Sequence, residues 1–173
     1  MCIRDRLAAV GEELSNEMVQ LIESVVGEIE DPALRVATAI RSYLHLARSY
    51  RVVARFLASA GLHLGGEKSS VYEYLPPDLK EGQKRGSFDE MPLDIAMDLV
   101  RGTGLAAIHR IANGRIAKDY PERIVQAILR SLGVTPATAA RLTATPLPRL
   151  SAPPESLLAQ AQARLEAKTV AAG

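Results

Sequence analysis

Apolar residues recur along the chain at the three- and four-residue spacing of helices, and nowhere with the alternation of a strand. Leu7, Leu14, Met18, Leu21, Ile22 and Val25 form a stripe that predicts a first helix from about residue 6 to Val26, with Gly27 placed to end it. Asp31 then stands as an N-cap and Pro32 as the first helical residue of a second helix, which runs to about Arg48. Its Ala33, Val36, Ala37, Ile40, Leu44 and Ala47 share one face. A third helix is predicted from about Tyr50 to Leu62, and Gly65 and Gly66 break it. Val53, Leu57 and Ala60 make one of its stripes; Val52, Phe56 and His63 make another.

Pro76-Pro77 interrupts the next segment, so the pattern predicts a turn before the prolines and a short helix from about Asp78 to Arg85, closed by Gly86. The stretch from Pro92 to Gly114 has two apolar faces. Leu93, Ala96, Met97, Val100, Gly104, Ala107, Ile108 and Ile111 form one; Ile95, Leu99, Gly102 and Ala106 form the other. A helix with two such faces has two sets of neighbours, and its mid-helix glycines call for a packing reason, each costing about 1 kcal/mol against alanine. A further helix starts near Asp119 and spreads Ile124, Val125, Ala127, Ile128, Leu129 and Leu132 over half its circumference, before Gly133. Thr135-Pro136 opens a short helix to about Leu142. Residues 145–154 hold four prolines and read as a linker to a weakly amphipathic segment, Glu155 to about Lys168. The pattern predicts an all-α fold, a helical bundle of about seven to nine helices.

Composition narrows this picture. The chain has 173 residues, enough for one domain plus a tail, and is 47% hydrophobic with 4% aromatics and no Trp. An aliphatic core of this kind suits helices packed on helices. Net charge is +1, from 21 basic and 20 acidic side chains, so no basic excess marks a nucleic-acid-binding domain. The densest basic run, Lys80, Lys84 and Arg85, is interleaved with Asp78 and Glu81 and reads as a solvated face. A single cysteine, Cys2, excludes an internal disulfide, and no apolar run reaches the roughly 18 residues of a membrane span. A cytoplasmic location is the default expectation. The opening MCIRDR fits no cap or apolar pattern. Residues 1–6 are expected to be a non-native leader to a native protein that begins upstream, the alternative being that Met1 is the true start. Residues 7–145 are then the helical domain, and 146–173 the linker and last helix.

Little in the chain suggests catalysis. His45, His63 and His109 have no metal-ligand spacing among them or to a carboxylate pair. Gly65-Gly66-Glu67-Lys68-Ser69 lacks the residue order and the preceding strand of a phosphate loop. Cys2 has no identifiable base, and no nucleophile elbow occurs. Neither an enzyme nor a cofactor is expected.

Three stretches together resemble the C-terminal domain of TetR-family repressors: DPALRVATAIRSYLHLAR; YLPPDLKEGQKRGSF followed by PLDIAMDLVRGTGLAAIHRIANG; and DYPERIVQAILRSLGVTPATAARL. The resemblance covers about residues 10–145. It implies a ligand-binding and dimerisation domain whose earlier helices enclose a pocket for a small apolar or amphipathic inducer. Its last two long helices would form a four-helix interface in a homodimer. The family's helix-turn-helix head has no counterpart in residues 1–30, so DNA would be reached only through a missing N-terminal domain. The pocket is expected between the first helix and the helices at 31–62 and 92–114, with Pro76-Pro77 leaving room for it. Tyr43, Phe56, His63, Tyr72, Met97 and Arg101 are its candidate lining, although ordinary core or surface roles stay open for the tyrosines, Met97 and His63. The candidate dimer face comprises Ile95, Leu99, Gly102 and Ala106 with Val125, Leu129 and Leu132. A free-standing helical interaction module, using Ile95, Leu99 and Ala106 against a protein partner, is the alternative.

Overall fold

The first two helices form an antiparallel pair, and the other six pack around it. In the computed structural model, which describes residues 3–61 and 69–171, the order is α1 (Ile3–Val26), α2 (Pro32–Ser49), α3 (Arg51–Ala60), α4 (Ser70–Lys84), α5 (Leu93–Asn113), α6 (Tyr120–Ser131), α7 (Pro136–Ala144) and α8 (Leu157–Ala171). Eight helices and no strand occur among the described residues. None of the helices is long and apolar enough to cross a membrane.

Local chemistry explains most boundaries. Asp31 caps α2 by accepting from the backbone N–H groups of Ala33 at 2.9 Å and Leu34 at 3.3 Å, with Pro32 in the first turn. Thr135 caps α7 through the N–H of Thr138. Gly133, just past α6, has φ +93°, and a Cβ there would run into the Asp89 carboxylate.

α4 differs from expectation. It is one continuous helix with Pro76 and Pro77 inside it, rather than a turn and a short helix. The prolines withhold the N–H donors that the carbonyls of Tyr72 and Glu73 would receive, and both of those residues are exposed, so water can serve the two oxygens. The helix is also tied down at its start and near its middle, just past the prolines. The N–H of Ser70 donates to Asn16 Oδ1 at 2.8 Å, and Asp78 pairs with Arg35 at 2.8 Å.

α1 packs along α3 and α2, α3 along α5, and α6 against α7, α2 and α5. The core between them is aliphatic, with Met18, Leu44, Leu57, Leu79, Ile111, Ile128, Leu129 and Leu142 wholly enclosed. Val125, Leu129 and Leu132, expected on a dimer face, are buried inside the single chain at 0, 0 and 1% exposure. The broad apolar surface of α6 is consumed by three neighbouring helices of its own chain. The glycines of α5 do not bring another part of the chain close either: a Cβ on Gly102 or Gly104 would meet nothing within 4 Å.

The C-terminal tail returns to the body. α8 packs on α3 and α1, and Leu158 is fully buried. The Glu17 carboxylate of α1 accepts from the N–H groups of Leu157 at 3.0 Å and Leu158 at 2.9 Å, the usual partnership of an anion with a helix start.

Candidate ligand-binding cavity

Helices α1 to α5 leave a cavity of about 170 Å³ between them. Ile22, Val36, Leu44, Leu57, Val100 and Ile108 make its apolar wall. Each belongs to the inward stripe of its helix, so the periodicity that builds the core also lines the space. Polar groups enter at three places.

Ser15 and Tyr43 form the first, where α1 meets α2. Their hydroxyls lie 2.9 Å apart. Burial pushes the Tyr43 phenol up to about 12, against the opposing effect of the Ser15 hydrogen bond, so it remains a neutral hydroxyl near pH 7. After one proton is shared between the pair, one O–H and several lone pairs remain for another molecule.

The second is acidic and lies towards the α1–α2 turn. Asp78 of α4 is paired with Arg35 of α2, yet burial raises its carboxyl above the ordinary range against the lowering effect of Arg35. Glu23 of α1 is also raised, first by burial and then by the Asp78 charge, with Arg35 opposing. Both carboxylates line the cavity and can accept hydrogen bonds.

Arg101 of α5 is the third. Its guanidinium stacks 4.6 Å from the centre of the Tyr72 ring and donates to the Tyr72 hydroxyl, which ties α5 to α4.

Of the residues singled out from the sequence, Tyr43 and Arg101 line this cavity. Tyr72 is 39% exposed and stands behind Arg101. Met97, one turn before Arg101, is buried core outside the lining, and Phe56 is half-buried beside Leu57, which takes the lining position in its place. Tyr72 and Phe56 each adjoin a lining residue, Val71 and Leu57, and so point away from it by about 100°, whereas Met97 shares the inward face of α5 one turn short of the lining. His63 lies outside the described residues. Sequence reasoning missed Ser15, Glu23, Tyr74 and Asp78. A signal existed for them, since Ser15, Val19, Ile22 and Glu23 share one face of α1, and Tyr74 and Asp78 one face of α4.

The dimer-face candidates divide. Ile95 is 49% exposed, Gly102 and Ala106 are exposed and Leu99 is half-buried, all on the outer side of α5; the α6 residues are internal.

A helical domain around a small, largely apolar cavity with a few polar tips has the make-up of a domain that binds a small molecule. Residues 31–145 match the family described as tetracyclin repressor-like, C-terminal domain, and the chain belongs to that family. A similar solved structure is RolR in complex with the ligand resorcinol, with TM-score 0.69 and 25% identity over 87% of this chain and 75% of that one. RolR without ligand gives TM-score 0.61 and 22% identity over 84% of this chain and 75% of that one. No curated protein matches the chain.

Proposed function

We propose that this chain is the effector-sensing and dimerising part of a TetR-type transcriptional repressor, and that its effector is a neutral, single-ring compound bearing hydroxyl groups. The cavity carries this reading. At about 170 Å³ it has the capacity of one ring, since an apolar cavity of about 150 Å³ accommodates benzene. The Ser15–Tyr43 pair and the carboxylates of Glu23 and Asp78 supply acceptors for hydroxyl donors. The resorcinol of the RolR complex is a ring of this size with two hydroxyls, which supports the choice of class. Occupancy would press on α1, which forms one wall, and α1 would relay its shift to a DNA-reading head, changing the spacing of two heads in a homodimer. The outer stripe of α5, Ile95 to Ala106, is the surface on which two copies would meet. Nothing in this role requires catalysis or a cofactor.

A thermal-shift series with resorcinol, phenol and cyclohexanol tests the cavity. Saturation at a hundred times the dissociation constant stabilises by about 2.7 kcal/mol. Gly104 lines the cavity, and the space where its Cβ would stand is open. Gly104→Leu should fill part of the cavity and abolish the shift while leaving the unliganded protein at least as stable. A shift that survives in Gly104→Leu, or no shift with any of the three compounds, would refute the reading.

A further inference from the structure

Two segments far apart in the chain meet at one end of the molecule. Arg48, at the end of α2, donates from Nη1 to the carbonyl of Lys118 at 2.9 Å. Arg51, which opens α3, donates from Nη2 to the carbonyl of Gly114 at 3.2 Å. These bonds hold the α2–α3 corner against the α5–α6 loop. Arg55 lies one turn along α3 from Arg51, and Arg110 one turn before Gly114, whose N–H it accepts. With Arg115 and Lys118, six cations gather there, five exposed and Arg48 half-buried. Among the described residues none of the six is in an ion pair, since those formed by cations involve Arg35, Arg41, His45 and Arg85. Of the acids in these two segments, Glu122 is held by His45 and Arg41, leaving Asp119. In a chain of net charge +1, this is a strong local excess that the linear sequence does not display.

We propose that this corner is a contact surface for the phosphate backbone of double-stranded DNA, independent of base sequence. Five of the six cations are arginines, whose forked guanidinium pairs with phosphate oxygens in two parallel hydrogen bonds. The larger apolar side chains in the same segments, Tyr50 and Ile116, are half-buried in the core, so the patch offers little to insert into a lipid surface. Its position fits as well. α1 and α2 run antiparallel, in register at Ser15 and Tyr43, so the corner stands beside the first turns of α1. Only in this orientation does the inference rest on the proposed function, in which that end of α1 leads to the DNA-reading head. The contact itself is a property of this chain alone.

Fluorescence anisotropy of a labelled random-sequence DNA duplex, titrated with this chain across a range of salt, tests it. Each phosphate contact contributes about −0.9 to the slope of log affinity against log salt, so a slope steeper than about −3 is expected. Arg55→Gln/Arg115→Gln, which removes no side-chain hydrogen bond found among the described residues, should weaken binding about tenfold and flatten the slope by about 2. Adding Arg51→Gln should extend both effects. Lys80→Gln/Lys84→Gln, on α4, should leave binding unchanged. Absence of binding at low salt, equal loss in the α4 variant, or preferential binding to phosphatidylserine vesicles would overturn the proposal. The thermal-shift series stands or falls separately, because it uses no DNA.

Discussion

Glu23 and Asp78 illustrate how position alters an ordinary residue. On a helical wheel Glu23 is one more acid near the end of α1; in the fold it faces an apolar cavity beside a second carboxylate. Its carboxyl is raised, so the folded chain holds the proton more tightly than the unfolded chain does. Stability from this residue is therefore greatest below the ordinary carboxylate value and is lost as pH rises through the raised one. Glu23→Gln should raise Tm at pH 7, with the gain shrinking towards zero as pH falls below the ordinary carboxylate range. A gain that is flat with pH would show that the Glu23 charge is not the cause. Glu122 acts in the opposite sense. Burial pushes it up, but the hydrogen bond from His45 at 2.7 Å, a backbone hydrogen bond and the charges of His45 and Arg41 leave it lowered. Its contribution is present above the ordinary value and lost as pH falls through the lowered one. None of this was legible beforehand, because a carboxylate's neighbours come from other helices.

At the scale of elements, caps and glycines were good guides. Asp31-Pro32 and Thr135-Pro136 open α2 and α7 where the sequence suggests, and α3 ends at Ala60, two residues before the expected Leu62, with Gly61 at φ 57° as its cap. α4 is the exception: proline is usually a helix breaker, so the sequence predicts a division at Pro76-Pro77 where the segment stays one helix. What rescued the helix is the solvent at Tyr72 and Glu73 together with its anchors to Asn16 and Arg35. Pro77 is exposed, so little packing depends on its ring. Pro77→Ala should stabilise the protein by some part of the about 3 kcal/mol that separates the two residues inside a helix. Urea denaturation should show a higher midpoint at unchanged slope; a lower midpoint would mean that the ring has a packing role. At the other end of the chain, α8 has a weak apolar stripe, yet Leu158 is sealed against the body and Glu17 holds the helix start. Leu158→Ala should cost about 2–5 kcal/mol if the tail is integral to the fold. An unchanged denaturation midpoint would make the tail an appendage.

For the whole molecule, the outer face of α5 is the surface that the single chain leaves unused. Ile95 is 49% exposed, and Gly102 and Ala106 present no bulk beside it. Small residues let the same stripe of a second copy approach closely, which suits the isologous contact of a two-fold dimer. Ala106→Glu should bury a like charge from each copy against the other and convert a dimer to monomers in light scattering, leaving the monomer's Tm nearly unchanged. A wild-type chain that is monomeric at micromolar concentration would remove this face from consideration. The contribution once expected from α6 has gone, because Val125, Leu129 and Leu132 serve the core within one chain.

The class of the fold, most helix boundaries and the family are legible in the amino-acid sequence, because spacing, caps and family pattern are local properties written in consecutive residues. The sequence also placed Tyr43 and Arg101, whose polar tips sit on inward faces, among the candidates for the site. Packing between helices was needed to show which apolar face of α6 meets which neighbour, that α4 remains one helix, and that Ser15, Glu23 and Asp78 share a cavity with them. It alone brought Arg48 and Arg51 to the loop at Gly114 and Lys118. The reason is physical: a helical period says which residues face inward together, but the partners they meet, and the charges gathered at each end, depend on how separate helices pack.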